Sequence, residues 1–288
     1  MPKCKKISFV SFKGGSGRSV TLANVVFQLA MGGCRVGAVD FDIEGGGLHK
    51  IFELEGIAKD SIQHFLMDEE DHRHYLGGEN PPDYSDDDVF CERLVIDVKK
   101  ETNSGWRNRA DQRGEVFLIQ AKPDARATGL VDTGANLFFR FNRLLERFSR
   151  LLYLDCLFID CRSGISNLSL PGLAYCDLTV VFLRWGSQHR YGTERLVYWY
   201  KDWLTRGETK KDIFVVLSNS DQSDETTDDA LRHYCAENLG DIPCGYASLP
   251  LIQYLTTQDV VLWEDRFAGY QAKYKQLSDI LLHHHVDG

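Results

Sequence analysis

The stretch that decides the fold is "SFKGGSGRSV", residues 11–20. The overlapping residues 7–12, ISFVSF, have the apolar character of a short buried strand. From Ser19 to about Met31 the apolar residues recur at helical spacing, and Gly32-Gly33 then ends the predicted helix. The glycines of residues 14–17 therefore lie in a turn between a strand and a helix.

This strand–turn–helix unit is suited to bind an anion. Consecutive N–H groups of residues 14–19, with the positive end of the following helix, form a nest for phosphate oxygens. Two positions depart from the phosphate-loop pattern G-x-x-x-x-G-K-[ST]: Phe12 replaces the first glycine and Arg18 replaces the lysine. Arginine is always charged and can bind two oxygens at once. We expect Arg18 to serve as the phosphate clamp and Lys13 as a second cation.

Strand and helix patterns alternate along the rest of the chain. Residues 43–48 are expected to form a flexible loop, residues 62–67 to start a helix, and residues 242–262 to form a short strand plus a loop. Further strands are predicted at 34–42, 93–101, 115–122, 155–164, 176–185 and 212–220. Further helices are predicted at 136–154, 192–206, 228–238 and about 264–282.

The predicted fold class follows from that alternation. It is α/β, with a mostly parallel, doubly wound sheet and helices on both faces. No linker separates two parts of the sequence, so residues 1–288 are predicted to form a single domain with an acidic loop or insertion around 68–115.

Polar residues follow the predicted strands at their carboxyl ends, the edge where α/β sheets bind ligands. They are Lys13, Asp40, Asp42, Asp160, Arg184 and Asn219. The Ser19 hydroxyl can bind Mg²⁺ directly, while Asp40 and Asp160 can hold its waters. Asp42 is then free to orient an attacking water. Each aspartate could instead cap a helix or face solvent, and Asn219 could form an Asx-turn.

Three motifs in order resemble one family. "FKGGSGRS" (12–19) resembles the deviant Walker A motif of ParA/MinD-type P-loop ATPases, K-G-G-x-G-K-[ST], and more closely the variant group with arginine at the lysine position, the KGGVGR-motif ATPases. "DFDIEGGGLHKIF" (40–52) resembles that group's D-x-D-x-E-A-P-G-L, and "DCRSGIS" (160–166) resembles D-[ST]-R-[ST]-G-I-[ST]. The segment "WGSQHRYGTERLV" (185–197) resembles a later segment of the same variant group, Q-S/x-x-G.

The resemblance implies a P-loop NTPase fold, ATP as ligand and Mg²⁺ as cofactor. It implies that Lys13 reaches across a dimer to the partner's nucleotide and that Lys13, Arg18 and Asp42 take part in catalysis. It places Ser19, Asp40 and Asp160 at the magnesium ion. The nucleotide-binding residues that it implies are Lys13, Gly14, Gly15, Ser16, Gly17, Arg18, Ser19, Val20 and Asn219.

Two functions fit these expectations. The first is an ATP-dependent homodimerisation switch with slow ATP hydrolysis, whose dimer contacts a protein partner that the sequence does not identify. The second is a regulatory or adaptor module that binds ATP or ADP without hydrolysis and recruits a partner through the acidic residues 68–90.

Charge and hydropathy argue against two other classes of function. The net charge of −9 disfavours DNA coating, and the locally basic residues 106–113, with Trp106, are read as a solvated loop. No apolar run could span a bilayer, and residues 270–285 are expected to pack on the domain as a final helix. The N-terminus enters a strand pattern without a signal peptide, which favours the cytoplasm.

The eight cysteines form no C-x-x-C pair, and most lie in apolar segments. This pattern predicts buried, reduced thiols and no disulfide scaffold. The terminal "HHHVDG" (283–288) is compatible with a metal-binding tract, but a solvated tail is the favoured interpretation.

Overall fold

The computed structural model describes residues 3–54, 58–108, 113–122, 124–129, 131, 134–166, 168–206, 211–220 and 225–284. These residues form an eight-stranded sheet with the spatial order β3-β4-β2-β5-β1-β6-β7-β8. The strands are β1 (Lys5–Ser11), β2 (Arg35–Phe41), β3 (Val95–Asp97), β4 (Glu115–Ile119), β5 (Cys156–Cys161), β6 (Leu178–Leu183), β7 (Asp212–Ser220) and β8 (Pro243–Pro250).

Helices connect the strands. The α-helices are α1 (Arg18–Met31), α2 (Leu48–Ile51), α3 (Ile62–Leu66), α4 (Glu69–Tyr75), α5 (Asp87–Leu94), α6 (Val98–Glu101), α7 (Ala125–Gly129), α8 (Ala135–Leu151), α9 (Leu170–Ala174), α10 (Ser187–Arg206), α11 (Glu225–Asn238) and α12 (Ala268–His283). Short 3-10 helices cover Gly105–Asn108, Gln253–Thr256 and Asp265–Phe267.

The central strands set the position of the functional edge. β1 pairs in parallel with β5 on one side and β6 on the other. The chain runs from β1 to one half of the sheet and, after β5, to the other half, which creates a crevice beyond the carboxyl end of β1. Asp40 of β2 is the register partner of Asp160 of β5. The two predicted carboxylates therefore lie side by side at that edge.

Two apolar clusters fill the space between the sheet and the helices, one on each face. On one face α1 packs over β1, β2 and β5, and α12 packs on α1 and β8. On the other, α8 buries an apolar stripe, and Phe141 stacks on Phe41 of β2 with ring centroids 4.0 Å apart. Each such buried side chain contributes about 2 kcal/mol. The prediction of a mostly parallel α/β sheet covered on both faces is confirmed.

The strand predicted over 93–101 is wrong over most of its length. Only Val95–Asp97 is extended, and it runs antiparallel to β4 at the edge of the sheet. The reason lies in two aspartates: Asp86 caps α5, which continues to Leu94, and Asp97 caps α6. Helix capping therefore competes with strand formation on both sides of this short segment.

The acidic region around 68–115 contains the helices α4, α5 and α6 and the 3-10 helix Gly105–Asn108. Asp68 caps α4 by accepting a hydrogen bond from the Asp71 N–H group. Phe90 and Leu94 of α5 are fully buried in the core. Trp106 contradicts the expectation of a solvated loop, because it is buried against Phe27 with ring centroids 5.5 Å apart. Residues 109–112 of that basic stretch lie outside the described residues.

The C-terminal helix α12 packs on α1, as expected, and buries Tyr274, Leu277 and Leu281. Among the described residues, no helix combines the length and apolar character needed to cross a membrane. All eight cysteines are free thiols. The expectation that they are buried holds for Cys156, Cys161, Cys176 and Cys235, whereas Cys4, Cys34 and Cys91 are half-buried and Cys244 is exposed.

The buried His72 predicts a pH dependence of stability. Its ring stacks on Tyr84, and burial, reinforced by nearby His64, lowers the pKa of His72 to about 4. An unfolded histidine titrates near 6.5. The contribution of the neutral, buried His72 ring to the free energy of unfolding is therefore fully present above about pH 6.5. About 2 kcal/mol of it is lost as the pH falls towards 4, because the unfolded chain then binds the proton more readily than the folded one.

Urea unfolding between pH 7 and pH 4 measures this effect. The His72→Phe variant is expected to lose less stability over this range than the wild type by about 2 kcal/mol. The matched control is His74→Phe, which changes an exposed histidine on the same helix and is expected to follow the wild type. An identical pH dependence in His72→Phe and the wild type would contradict the prediction.

Candidate functional site

The glycine-rich turn between β1 and α1 forms the floor of the site. Gly15 and Gly17 have φ angles of 71° and 73°, in the left-handed region that favours glycine. Gly17 is also the N-cap residue of α1, so the N–H groups of the first helical turn are directed into the crevice. Together these features make the turn suited to bind an anion.

This turn lines a cavity of about 320 Å³ at the carboxyl edge of the sheet. The lining residues come from β1, the turn itself, the start of α1, the loop after β2 with helix α2, β5 and the loop after it, and the segment after β8. They are Ser11, Gly14, Gly15, Ser16, Gly17, Arg18, Ser19, Val20, Asp42, Gly45, Gly47, Lys50, Ile51, Asp160, Ser163 and Asp259.

The neighbouring elements hold the turn from outside. Arg184, after β6, donates a hydrogen bond from Nη1 to the Gly15 carbonyl at 3.0 Å. The Ser218 hydroxyl of β7 donates to the Ser16 carbonyl at 2.5 Å. These bonds satisfy carbonyl groups of the turn, so its N–H groups remain directed towards the cavity.

Phe12, at the position of the first P-loop glycine, packs against α10. A Cβ atom added at Gly192 would lie 1.9 Å from Phe12 Cδ1. The bulky side chain at position 12 thus requires a glycine 180 residues later. This pairing explains how the turn accommodates its first departure from the usual pattern.

Gly192→Ala is expected to destabilise the protein by about 2 kcal/mol, because the added methyl group overlaps the Phe12 ring. The double variant Phe12→Ala/Gly192→Ala is expected to remove that clash, so that the two changes are not additive in a double-mutant cycle. Gly269→Ala is the matched control, since a Cβ there meets nothing within 4 Å. Additive free energies of unfolding from chemical denaturation would contradict the assignment.

Arg18 connects the two carboxylates of the cavity. Its Nε atom donates to Asp160 Oδ1 at 2.5 Å, and its Nη2 atom lies 3.5 Å from Asp42 Oδ2. Nη1 lies 3.4 Å from the Ser11 hydroxyl. The Arg18 side chain is only 7% exposed. Burial opposes its charge, but Asp160 and Asp42 raise the pKa of Arg18 overall.

The Ser19 hydroxyl lines the same cavity as Asp160. Burial raises the pKa of Asp160, and the charge of Arg18 and the nearby Ser19 hydroxyl oppose that effect. The structure therefore brings Arg18, Ser19, Asp42 and Asp160 together.

Asp40 lies behind the loop that follows β2. Its side chain is fully buried and accepts hydrogen bonds from the N–H groups of Gly47 at 2.9 Å and Leu48 at 3.1 Å. Burial raises the pKa of Asp40 to about 8, the Asp160 carboxylate adds to this, and the two N–H groups oppose it. Asp40 is not among the residues that line the cavity. It orders the 43–48 loop that the sequence suggested to be flexible.

Asp42 has a similar effect on that loop from the cavity side. Its Oδ1 atom accepts a hydrogen bond from the Gly45 N–H group at 3.2 Å, and its carbonyl accepts from Gly46 at 2.7 Å. Its side chain remains 25% exposed. Asp42 is therefore held in place and still accessible to a water molecule in the cavity.

The remaining predicted site residues lie elsewhere. Lys13 is outside the cavity lining, and its Nζ atom donates to Gln188 Oε1 of α10 at 2.5 Å. Asn219 belongs to the carboxyl-terminal part of β7, but its side chain lies outside the described residues.

A second cavity of about 320 Å³ adjoins the first. The two share Gly15, Gly17, Val20 and Asp259 in their linings, so they form one continuous groove. The second is bordered by apolar residues of β8 and the following segment, namely Leu249, Pro250, Leu251, Ile252 and Leu255. The groove therefore has a polar half at the glycine-rich turn and an apolar half beside β8.

Sequence reasoning missed several lining residues, among them Ser163, Ser218, Lys50 and Asp259. Ser163 lies within the recognised "DCRSGIS" motif, and Ser218 precedes the predicted Asn219, so both had a sequence signal. Lys50 lies within the quoted "DFDIEGGGLHKIF" motif and had the same kind of signal. Asp259 had none, because it enters the groove from the irregular segment after β8, and its position depends on chain packing rather than on a local pattern.

The oxygen donors of the polar half fit Mg²⁺. The Ser19 hydroxyl and the carboxylates of Asp160 and Asp42 all line the same cavity. Mg²⁺ prefers such oxygen ligands and keeps several of its waters. Arg18 is the competing cation, since it already neutralises both carboxylates.

The N-terminal quarter of the chain matches a family model. Residues 3–72 match the ParA model, whose description is "NUBPL iron-transfer P-loop NTPase". No curated protein matches the chain.

Several solved structures have a similar fold. Cobyrinic acid a,c-diamide synthase from Mycobacterium smegmatis, solved with a bound ATP analogue and magnesium, has a TM-score of 0.68 at 18% identity, covering 98% of this chain and 95% of that one. The septum site-determining protein MinD from Pyrococcus horikoshii, complexed with Mg-ADP, has a TM-score of 0.64 at 15% identity, covering 96% and 95%. A ParA family ATPase from Chlorobium tepidum has a TM-score of 0.65 at 16% identity, covering 98% and 100%.

At these identities the solved structures show the fold alone. That fold is the α/β fold of ParA/MinD-type P-loop ATPases, and it agrees with the resemblance carried by the three sequence motifs.

Proposed function

We propose that this chain, which has the fold of the ParA/MinD-type P-loop ATPases, binds ATP with Mg²⁺ and uses it as a dimerisation switch with slow hydrolysis. The observation that supports this most directly is the continuous groove, with its polar and apolar halves meeting at Gly15, Gly17 and Val20. A nucleotide has the same division, because a charged triphosphate is joined to a flat, largely apolar base.

The polar half suits the triphosphate. The N–H groups of residues 14–19 and the amino end of α1 supply fixed partial positive charge. The apolar half suits the base, which Leu249, Leu251 and Ile252 would contact through their side chains. Asp259 lines both halves, at the place where the ribose hydroxyls would lie.

Ser19 and Asp160 would hold the magnesium ion, with Asp40 supporting the loop from behind. When bound, Mg²⁺ would neutralise charge on the phosphate oxygens. Asp42 would orient the attacking water, since it is anchored by the Gly45 N–H group and remains partly exposed.

The contacts of Arg18 support slow hydrolysis. Its guanidinium group binds both Asp160 and Asp42, so it competes with a water molecule for the Asp42 carboxylate and with a metal for Asp160. Productive binding would require Arg18 to shift at least part of its hydrogen bonding from these carboxylates to the phosphates. A slow rate would follow from that competition.

Lys13 supports the dimerisation step. It does not line its own cavity, and its ammonium group lies near the surface beside Gln188. A cation placed there is free to neutralise phosphate charge in a second copy of the chain. The proposed dimer would contain two nucleotides near the interface, and its surface would be available to a protein partner.

Lys13→Ala is expected to abolish ATP-dependent dimerisation while weakening ATP binding to the monomer less than about threefold, because the lysine acts on the partner's nucleotide. Size-exclusion chromatography with light scattering, with and without ATP and Mg²⁺, measures the first quantity, and calorimetry measures the second. Lys59→Ala, which removes an exposed lysine paired with Glu92, is the matched control. A wild-type chain that stays monomeric with ATP bound would refute the switch.

The second candidate is a module that binds nucleotide without hydrolysis. The same Arg18 contacts favour it, since they engage the carboxylates that hydrolysis would use. Phosphate release and ATP affinity, measured on one sample, separate the two candidates. Tight binding with no phosphate release above the buffer rate would favour the module, and measurable release that depends on Asp42 would favour the ATPase.

A further inference from the structure

Three chemically different side chains meet at the edge of the sheet opposite the nucleotide groove. Asp212 is the first residue of β7, Cys244 is the second residue of β8, and His284 directly follows α12. One carboxylate oxygen, the thiol sulfur and one imidazole nitrogen all lie within 4.8 Å of one another. The phosphate-binding turn lies at the carboxyl ends of the strands, so this cluster belongs to a different surface of the protein.

We propose that Asp212, Cys244 and His284 bind a zinc ion. Thiolate, imidazole and carboxylate are the ligand types that Zn²⁺ takes from proteins, and this mixture favours it over Mg²⁺ or Ca²⁺, which bind oxygen ligands. Three protein ligands leave the fourth tetrahedral position to water.

The geometry requires only a small adjustment. Tetrahedral ligand atoms about 2.0 to 2.3 Å from zinc lie roughly 3.3 to 3.7 Å from one another. His284 Nε2 and Asp212 Oδ2 are now 2.7 Å apart, so they would separate slightly, while the other pairs already lie within 4.8 Å. Cys244 is exposed, and the side chains of His284 and Asp212 are 22% and 30% exposed, so an ion can enter from solvent.

The charges also balance. On binding, the Cys244 thiol gives its proton to solvent and a bond forms between sulfur and zinc. The two positive charges of zinc are then matched by one thiolate and one carboxylate. Lys5, whose Nζ atom donates to the carbonyl groups of Leu282 and His284, stays bound to backbone at the end of α12 and need not move.

The site would join three elements that are distant in sequence. It would fix the end of α12 to the first residues of β7 and β8, and α12 packs on α1, the helix that carries Arg18 and Ser19. Zinc binding would therefore stabilise the folded chain by mass action, without any change at the nucleotide groove.

Titration of the full-length protein with Co²⁺, which reports its ligands by absorption, tests the proposal. We expect one Co²⁺ per chain, visible bands of tetrahedral coordination, and a sulfur-to-cobalt charge-transfer band that Zn²⁺ displaces. Cys244→Ser is expected to remove the charge-transfer band, because the sulfur ligand is lost. His284→Asn is expected to weaken Co²⁺ binding at least tenfold, since even mutation of residues that only support metal ligands lowers metal affinity by that factor.

Two matched controls separate this site from other thiols and from the histidine tract. Cys91→Ser changes a partly buried cysteine on α5, and His283→Asn changes the histidine adjacent to His284. Both are expected to bind Co²⁺ like the wild type. Thermal melting without metal shows whether each variant is folded.

Binding without a charge-transfer band would overturn the proposal, because the metal would then lie on the terminal histidines alone. A charge-transfer band that persists in Cys244→Ser, or no binding at micromolar metal by the folded wild type, would overturn it as well.

Discussion

Replacing Asp42 with alanine is expected to lower ATP turnover by about 100-fold or more, the contribution of a positioned acid–base group. ATP affinity in Mg²⁺ should change by less than about threefold, because the nest of N–H groups and the Ser19 hydroxyl are left intact. Asp42 is more exposed than Asp160, the other carboxylate that Arg18 contacts, and its position is fixed by the Gly45 N–H group. Phosphate release under single-turnover conditions and calorimetric binding measure the two quantities.

A second variant separates the role of the charge from the role of the loop anchor. Asp42→Asn keeps an oxygen that can accept from the Gly45 N–H group but removes the negative charge, so it should be as inactive as Asp42→Ala. Glu44→Gln, at an exposed acid of the same loop that pairs with Arg162, is the matched control and should keep wild-type turnover. Turnover that persists in Asp42→Asn would show that another group orients the water.

Arg18→Met is expected to cost about 3 kcal/mol of folding free energy, because it leaves the buried Asp160 without its cationic partner. For a chain of this size the midpoint of thermal unfolding should fall by roughly 6 to 12 °C. Methionine fills most of the volume, so the loss reports the charge rather than a cavity. Arg18→Lys should be intermediate, since one ammonium group cannot reach Asp160, Asp42 and Ser11 in the three directions that the guanidinium serves.

The double variant Arg18→Met/Asp160→Asn should recover most of that stability, because it removes both buried charges. Lys275→Met, which breaks an exposed pair with Asp279, is the matched control and should change stability by less than about 0.5 kcal/mol. If Arg18→Met unfolds at the same temperature as the wild type, the ion pair does not hold this edge of the sheet together.

Most of the sheet could be predicted because its strands are central and parallel. Such strands are buried on both faces, so they appear as continuous apolar runs that end in polar residues, as in "CRVGAVDFD" and "DCLFIDCRSG". The edge strand β3 could not be predicted in this way. It has only three residues, and its extended conformation depends on pairing with β4 and on the helices capped on either side of it.

The site could be predicted as a set of residues but not as a set of contacts. Strand order brings Asp40 and Asp160 into register, and the sequence indicated both. It did not indicate that Arg18 binds Asp160 and Asp42, that Asp40 serves the 43–48 loop, or that Phe12 needs Gly192. Each of these contacts joins side chains across the fold, and no local pattern specifies them.

The central claim is that the glycine-rich turn binds a triphosphate whose magnesium ion is held by Ser19 and Asp160. Calorimetric titration of the wild type and Ser19→Ala with ATP, in Mg²⁺ and then in a chelator, tests it most directly. We predict saturable binding of one ATP per wild-type chain, with an affinity in Mg²⁺ that Ser19→Ala lowers about tenfold or more and an affinity in chelator that the variant leaves unchanged. No heat of binding by the folded wild type, or an equal loss in Ser19→Ala with and without Mg²⁺, would contradict the claim.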